Sequence, residues 1–371
     1  MKKAVFCAVF TLILTLVALT ACSPAAQRAD HNGKLYYGSL STEQKALYEV
    51  FYDAAEKAEA TSDSVPYSYT EDEWRAVLTA VMYDNPKFFG VDMLNVNLMT
   101  SNNKCFVEVN YIYPAEYVIP EREKIEASIK QLIDYLTVDT DSHEIFEEEI
   151  AIQLHDYVVS NTSNNIPSSV FESNELNLYD KLKGVKANSL SYAVLYKMLC
   201  DAAGIECEIV DGNVDGFAHS WNMVRTKERV YYVDTYFDDP DYQFENGETV
   251  IFHAYCMLGR NQISKSHIFN ESPIFPYDIH RESYYTIRSL YANDENSVND
   301  IVKSCVGLSY LYQKAIFDIC ADVTYEQLEA ALYSAIDSIN EMLGEEVLKR
   351  QFRIFPQSDI IKAYTILLIY N

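Results

Sequence analysis

The sequence predicts an α+β fold, and three features carry that expectation. Ser41-Thr42-Glu43-Gln44 fits a capping box, and Leu47, Val50, Phe51 and Ala54 follow it at helical spacing. Residues 105–113 read CFVEVNYIY, the period-two alternation of a half-buried strand. Residues 219–224 and 230–237 are two further strand-like runs, joined by the polar turn 225–229 into an antiparallel pair.

The remaining elements follow in order. Thr70-Glu71-Asp72-Glu73 repeats the capping signal ahead of Trp74, Val77, Leu78, Val81 and Met82. That helix is expected to stop near Asn85-Pro86, because proline disfavours helical geometry in the residue before it. Helical patterns then cover 121–136, 143–161 and 191–203, the last with Val194, Leu195, Met198, Leu199 and Ala202 on one face and Gly204 as its stop. Residues 205–210 read as a strand, 211–216 as a turn and 284–290 as a further strand-like run. Two long helices are expected over 299–320 and 324–343. The second opens on a Thr324–Gln327 capping box and closes before Gly344. Residues 351–355 and 361–370 are strand-like, and no internal repeat is present.

The 371 residues carry a net charge of −26 with 49% hydrophobic and 23% charged residues, so the body is ordinary globular protein with an acidic, solvated surface. No basic cluster offsets that charge, which excludes nucleic acid as a partner. The N-terminus differs from the rest. Met1-Lys2-Lys3 precedes an uncharged apolar run to Ala21, and Leu19-Thr20-Ala21-Cys22 places small residues just before a cysteine. A signal peptide is removed at such a site. The L-T-A-C order resembles a bacterial lipobox, which implies lipidation of Cys22, a membrane anchor through that lipid, and an exported body on the outer face of the bacterial cytoplasmic membrane. An uncleaved N-terminal anchor is the alternative, since a run of about 18 apolar residues is borderline for spanning. Export permits disulfides among Cys105, Cys200, Cys207, Cys256, Cys305 and Cys320, but six cysteines allow about 15 complete pairings. None forms a CxxC pair, so no metal or other cofactor is expected, and small buried fillers are the default.

Chemistry concentrates in the middle of the chain. Ser189 stands at a helix start, where the dipole stabilises developing negative charge. His219 on the next hairpin can act as a base, and Asp234 on the return strand can fix the imidazole tautomer. The surrounding residues resemble the transglutaminase-like superfamily of exported bacterial proteins. Ser191-Tyr192-Ala193 stands where the family reads G-Y-A, Ala203-Gly204-Ile205 where it reads A-G-I, and His219-Ser220-Trp221-Asn222 where it reads H-A-W-N. Tyr231 to Thr235, with Asp238-Asp239-Pro240, is similar to the family's Y-x-V-D-x-T block. Leu154-His155-Asp156-Tyr157-Val158 and Asn161 resemble its preceding helix, and the match covers residues 150–240. The resemblance implies a papain-like core, a helix packed on an antiparallel sheet. It also implies attack of a cysteine thiolate on an amide, assisted by His219 and Asp234 and supported by Tyr192, Trp221, Asn222 and Thr235.

The nucleophile does not carry over. Counting back from Tyr192, the cysteine position is Ser189, and the flanking glycines are Ala187 and Ser191. Cys200 lies 11 residues along the same helix, about 16 Å away, and Cys207 belongs to the next strand. A thiolate is stored before substrate arrives, whereas a serine hydroxyl must lose its proton during attack to a base already aimed. Asn188 or Ser189 also suits a helix cap. The expectation is therefore a catalytically degenerate protein that binds peptide or cell-wall material. The alternatives are an active amidase or acyl-transferase using Ser189, His219 and Asp234, and a surface scaffold.

The expected organisation is a signal peptide (1–21), a tether (22–33), an N-terminal α+β region (34–145), the transglutaminase-like core (146–285) and a C-terminal helical region with terminal strands (286–371). Residues 211–216, DGNVDG, copy the opening of a calcium loop, but the twelfth position is Asn222 and the flanks are strand-like, so a turn is expected. The acidic run 237–241, FDDPD, reads as a solvated loop. His143, His155, His253, His267 and His280 lack metalloprotease spacing and read as surface or core histidines.

Overall fold

A computed structural model of the chain describes residues 31, 33–137, 147–164, 186–227, 229–240, 242, 250–271, 273–276, 278, 280, 282–312 and 314–370. The signal segment, Cys22 and most of the tether lie outside these residues, as does His143.

Three helices open the described chain: α1 (Leu35–Ser39), α2 (Thr42–Lys57) and α3 (Glu71–Asp84). Both expected capping boxes form. Ser41 Oγ accepts from Gln44 N at 3.2 Å while Gln44 Oε1 accepts from Ser41 N at 2.9 Å, and Thr70 and Glu73 repeat the exchange. α3 ends at Asp84, just before the Asn85-Pro86 break. A hairpin of β1 (Asn97–Ser101) and β2 (Lys104–Glu108) follows. The strand expected to reach residue 113 stops at Glu108, because Val109 N turns to the Ala60 carbonyl and Ile112 N to that of Gly90. The next helix, α4 (Ala115–Thr137), begins six residues before the expected start and runs through Pro120. α5 (Glu147–Asn161) comes next, and the expected start of its segment at 143 lies outside the described residues.

The central unit begins with the short parallel pair β3 (Ser163–Asn164) and β4 (Lys186–Ala187), which leads into α6 (Ser189–Ala202). Gly204, at φ 76°, reverses the chain after α6. Then come β5 (Glu206–Val214), β6 (Phe217–Arg225), β7 (Val230–Val233), a turn of helix α7 (Arg260–Ile263) and β8 (His267–Phe269). The four strands make an antiparallel sheet in the order β7-β6-β5-β8, and α6 packs across β5 and β6. The fold class is α+β.

Residues 211–216 are not one turn. β5 continues to Val214, and the chain reverses over Asp215 and Gly216 alone, at φ 52° and 85°. Both positive, these values mark the tight primed turn that matches hairpin twist. Gly212 lies mid-strand for a packing reason. A Cβ there would sit 2.0 Å from the Ile268 carbonyl oxygen and 2.6 Å from the Trp221 ring. Its absence lets β8 and the indole close onto β5.

The C-terminal part contains α8 (Tyr284–Ile287), β9 (Tyr291–Ala292), α9 (Glu295–Tyr312), β10 (Ile316–Ala321), α10 (Tyr325–Leu343), β11 (Leu348–Ser358) and β12 (Ala363–Tyr370). Two expectations need correction. Residues 284–290 are mostly helical, and the helix expected to run to 320 ends at Tyr312. Residues 316–321 instead pair with β12 and β9 inside a four-stranded sheet ordered β11-β12-β10-β9. Ile319 and Ala321, alternating along β10, enter the apolar layer under α9 and α10, which period-two burial requires of a strand. The region is therefore helices on a sheet. Its core, with Val302, Ile319, Leu332 and Ile366, is separate from the larger cluster that joins the N-terminal helices to α6 and its sheet. Among the described residues no helix is long and apolar enough to cross a membrane. All six described cysteines are buried and unpaired with one another.

Candidate functional site

α6 begins beside the first residues of β6, which themselves meet the residue that follows β7, so three of the expected residues arrive in one region. Asn188 is the helix cap: its Oδ1 accepts from Ser191 N at 3.0 Å and from Ser191 Oγ at 2.7 Å. Ser189, the first helical residue, is half-buried and free of capping duty. Its Oγ accepts from the Ser220 backbone N–H at 3.3 Å.

His219 and Asp234 form a close pair, with Nε2 and Oδ2 2.6 Å apart. A second imidazole reaches the same oxygen: His267 Nε2 is 2.9 Å from Asp234 Oδ2. Asp234 Oδ1 accepts from the N–H groups of Tyr236 and Phe237, each at 3.1 Å. Burial alone would raise the Asp234 carboxyl, but the His219 charge and the bonds from both imidazoles hold it well below the usual carboxylate range. A carboxylate facing both Nε2 atoms fixes each ring as the Nε2–H tautomer. Ser266 Oγ, 2.8 Å from His267 Nδ1, then donates to that nitrogen's lone pair. The remaining lone-pair atom, His219 Nδ1, is the one able to take a proton.

Among the described residues no hydrogen bond joins Ser189 to His219. β6 alternates, and Asn222 lies on the side of α6, its Nδ2 donating to the Ala193 carbonyl at 2.9 Å. His219 and Trp221 occupy the opposite side with His267 and Phe269. The Phe237 ring stacks on His219 at 4.6 Å, and Tyr236 stands 5.6 Å from His219 and 5.4 Å from Tyr192. The imidazole is left 8% exposed, which restricts approach of any substrate.

The supporting residues are all buried. The Tyr192 hydroxyl donates to Asp239, Trp221 packs edge-on against His267 and Phe269 at 4.8 Å each, and Thr235 lies beside Asp234 in the interior. The run FDDPD is not a solvated loop. Asp238 and Asp239 are buried, and Asp238 accepts from Tyr255 N at 3.0 Å. Asp211, the first residue of the calcium-like motif, is committed to Tyr83 and Ser220, at 2.8 and 2.7 Å. His267 was not legible in the sequence as part of this site. It comes from a three-residue strand with no motif around it, and only the β5–β8 pairing delivers it.

A cavity of about 630 Å³ lies at the other end of α6, lined by Lys34, Asp84, Lys87, Met198 and Asp201 among others. Next to it, Glu208 Oε2 sits 3.5 Å from Lys197 Nζ. Burial pushes the Glu208 carboxyl up to about 7 against the pull of Lys197. A raised folded value means that stability present below the ordinary carboxylate range is lost as pH rises through about 7. Glu208→Gln is accordingly expected to be more stable than the natural chain at pH 8, by up to about 3 kcal/mol, and to lose that advantage at pH 5. Urea unfolding of both proteins at the two pH values checks this; an advantage that grows toward pH 5 contradicts it.

No protein-family model matches the chain, and no curated protein does. Among solved structures, a "putative protease" from Parabacteroides distasonis is 15% identical with a TM-score of 0.24, over 37% of this chain and 35% of that one. A "putative cysteine protease" from Cytophaga hutchinsonii is 10% identical with a TM-score of 0.25, over 51% of this chain and 80% of that one. This chain thus spans about a third of the first protein. At such TM-scores the likeness fixes neither fold nor activity.

Proposed function

We propose that this chain is an exported, lipid-anchored protein whose transglutaminase-like, papain-like core lacks a working nucleophile and holds a peptide or cell-wall segment. One observation carries the reading: Ser189 Oγ accepts from the Ser220 amide, and no hydrogen bond links it to His219. A serine hydroxyl attacks only as its proton passes to a base in contact with it. The His219–Asp234 pair persists for a structural reason, since losing either partner strands a buried polar group.

Ser189→Cys separates a binding core from a scaffold. A thiol at a helix N-terminus can store its charge without a base in contact, so the variant is expected to hydrolyse peptide amides measurably above the natural chain. A folded variant with no gain favours a surface scaffold whose core only displays the C-terminal elements. The anchor rests on the L-T-A-C pattern at residues 19–22. Cys22→Ser is expected to lose incorporation of labelled palmitate in bacterial cells; undiminished labelling overturns lipidation at Cys22.

A further inference from the structure

A second histidine–carboxylate cluster lies away from Ser189, and the site above makes no use of it. His155 and Asp156 come from α5, and His253 from the segment after β7. His155 Nδ1 and His253 Nε2 approach one oxygen, Asp156 Oδ1, at 2.9 and 3.0 Å. These three donor atoms all lie within 4.8 Å of one another. The far nitrogen of each ring is also held by a carboxylate: His155 Nε2 by Asp238 Oδ2 at 3.1 Å and His253 Nδ1 by Asp318 Oδ2 at 2.6 Å. Those outer carboxylates are themselves pinned. Asp238 accepts from Tyr255 N, and Asp318 Oδ1 accepts from Thr365 Oγ1 at 2.7 Å.

Counting protons separates this cluster from the one around Asp234. There, each imidazole meets a carboxylate through one nitrogen, and one N–H from each ring satisfies every contact. Here all four ring nitrogens face carboxylate oxygens. With Asp156, Asp238 and Asp318 all ionised, hydrogen bonds alone call for two adjacent imidazolium ions, with ring centroids 5.4 Å apart in a buried site. If Asp238 and Asp318 fix the tautomers, the nitrogens facing Asp156 carry lone pairs. Two lone pairs and a carboxylate oxygen then converge on a single point. A divalent cation there replaces two protons, leaving the charge of the cluster unchanged and releasing both to solvent.

We propose that His155 Nδ1, His253 Nε2 and Asp156 Oδ1 bind one Zn²⁺, with Asp238 and Asp318 orienting the two imidazoles from outside. Two imidazoles and a carboxylate are a zinc donor set, and a carboxylate on the far nitrogen is the usual support of a zinc-bound histidine. Zinc about 2 Å from each donor needs donor spacings of about 3.3 Å, so the Asp156 oxygen moves out by a few tenths of an ångström from both rings, and the two ring nitrogens, within 4.8 Å of each other, settle to the same spacing. Its side chain is 37% exposed while both histidines are buried, which leaves an entry path and a fourth position for water. Asp318 belongs to β10, so the bound ion couples α5 to the C-terminal sheet.

The test uses the full-length chain, stripped with EDTA and titrated with zinc against a chromophoric chelator. One equivalent is expected for the natural protein, and at least a tenfold loss of affinity for Asp156→Asn and for His253→Gln. His219→Gln is expected to keep the full equivalent. Cobalt is expected to give the visible absorption of a four-coordinate N/O site in the natural protein, a readout that survives even if both ligand variants misfold. A folded natural protein that binds no equivalent of zinc overturns the proposal. So does retention of the ion in folded Asp156→Asn, or its loss in folded His219→Gln.

Discussion

Asp234→Ala is expected to lower folding stability by about 3–5 kcal/mol, the range for removing one partner of a buried ion pair. The reason is the number of groups it strands. Two imidazole N–H groups and two backbone N–H groups converge on this one carboxylate, which is 1% exposed. Asp234→Asn keeps the oxygen that serves Tyr236 and Phe237 but turns an N–H toward the imidazoles, and is expected to cost about 1–3 kcal/mol. The pH dependence follows from the lowered folded value. The contribution is present above the ordinary carboxylate range and is lost only as pH falls through the lower folded value. The carboxylate's contribution to the gap between natural chain and variant is therefore expected to persist down to pH 5 in urea unfolding and to fade only at lower pH. A cost below about 1 kcal/mol for Asp234→Ala contradicts the network.

Trp221→Ala is expected to cost a similar amount, about 3–5 kcal/mol, for a different reason. The indole is buried against His267 and Phe269 and lies over Gly212, so truncation opens a cavity where β5, β6 and β8 meet. The contribution is one of shape. Among the described residues Trp221 Nε1 has no hydrogen-bond partner, so no hydrogen bond is lost with it. Trp221→Phe consequently is expected to cost less than half as much, since it keeps an aromatic ring and removes an unpaired buried N–H. Equal losses for the two variants, read by thermal and chemical unfolding, would falsify the packing explanation.

What the sequence made legible follows from the range of the signals. Capping boxes act over three residues, and all three form, at Ser41, Thr70 and Thr324. The pairing of His219 with Asp234 was legible because both lie on one hairpin, whose register follows from its alternation. Elements set by distant partners were not. Residues 316–321 carry enough apolar side chains to extend a helix on paper, and only pairing with β12 makes them a strand. Residues 211–214 look like a turn because they contain Asp, Gly and Asn, yet Gly212 is there to admit Trp221 and β8. The acidic run 237–241 read as solvated because the groups that meet Asp238 and Asp239 come from α5, α6 and the segment after β7. His267 joined the site by the same long-range route.

The central claim is that Ser189 is an address without a nucleophile. The most direct measurement is labelling of the natural, full-length chain by a fluorophosphonate, which phosphonylates, with loss of fluoride, only a serine whose proton is drawn off by a neighbouring base. No modification of Ser189 is expected by mass spectrometry of the digested protein, at any pH where the chain stays folded. Stoichiometric labelling that vanishes in Ser189→Ala contradicts the account and establishes Ser189 as an activated nucleophile.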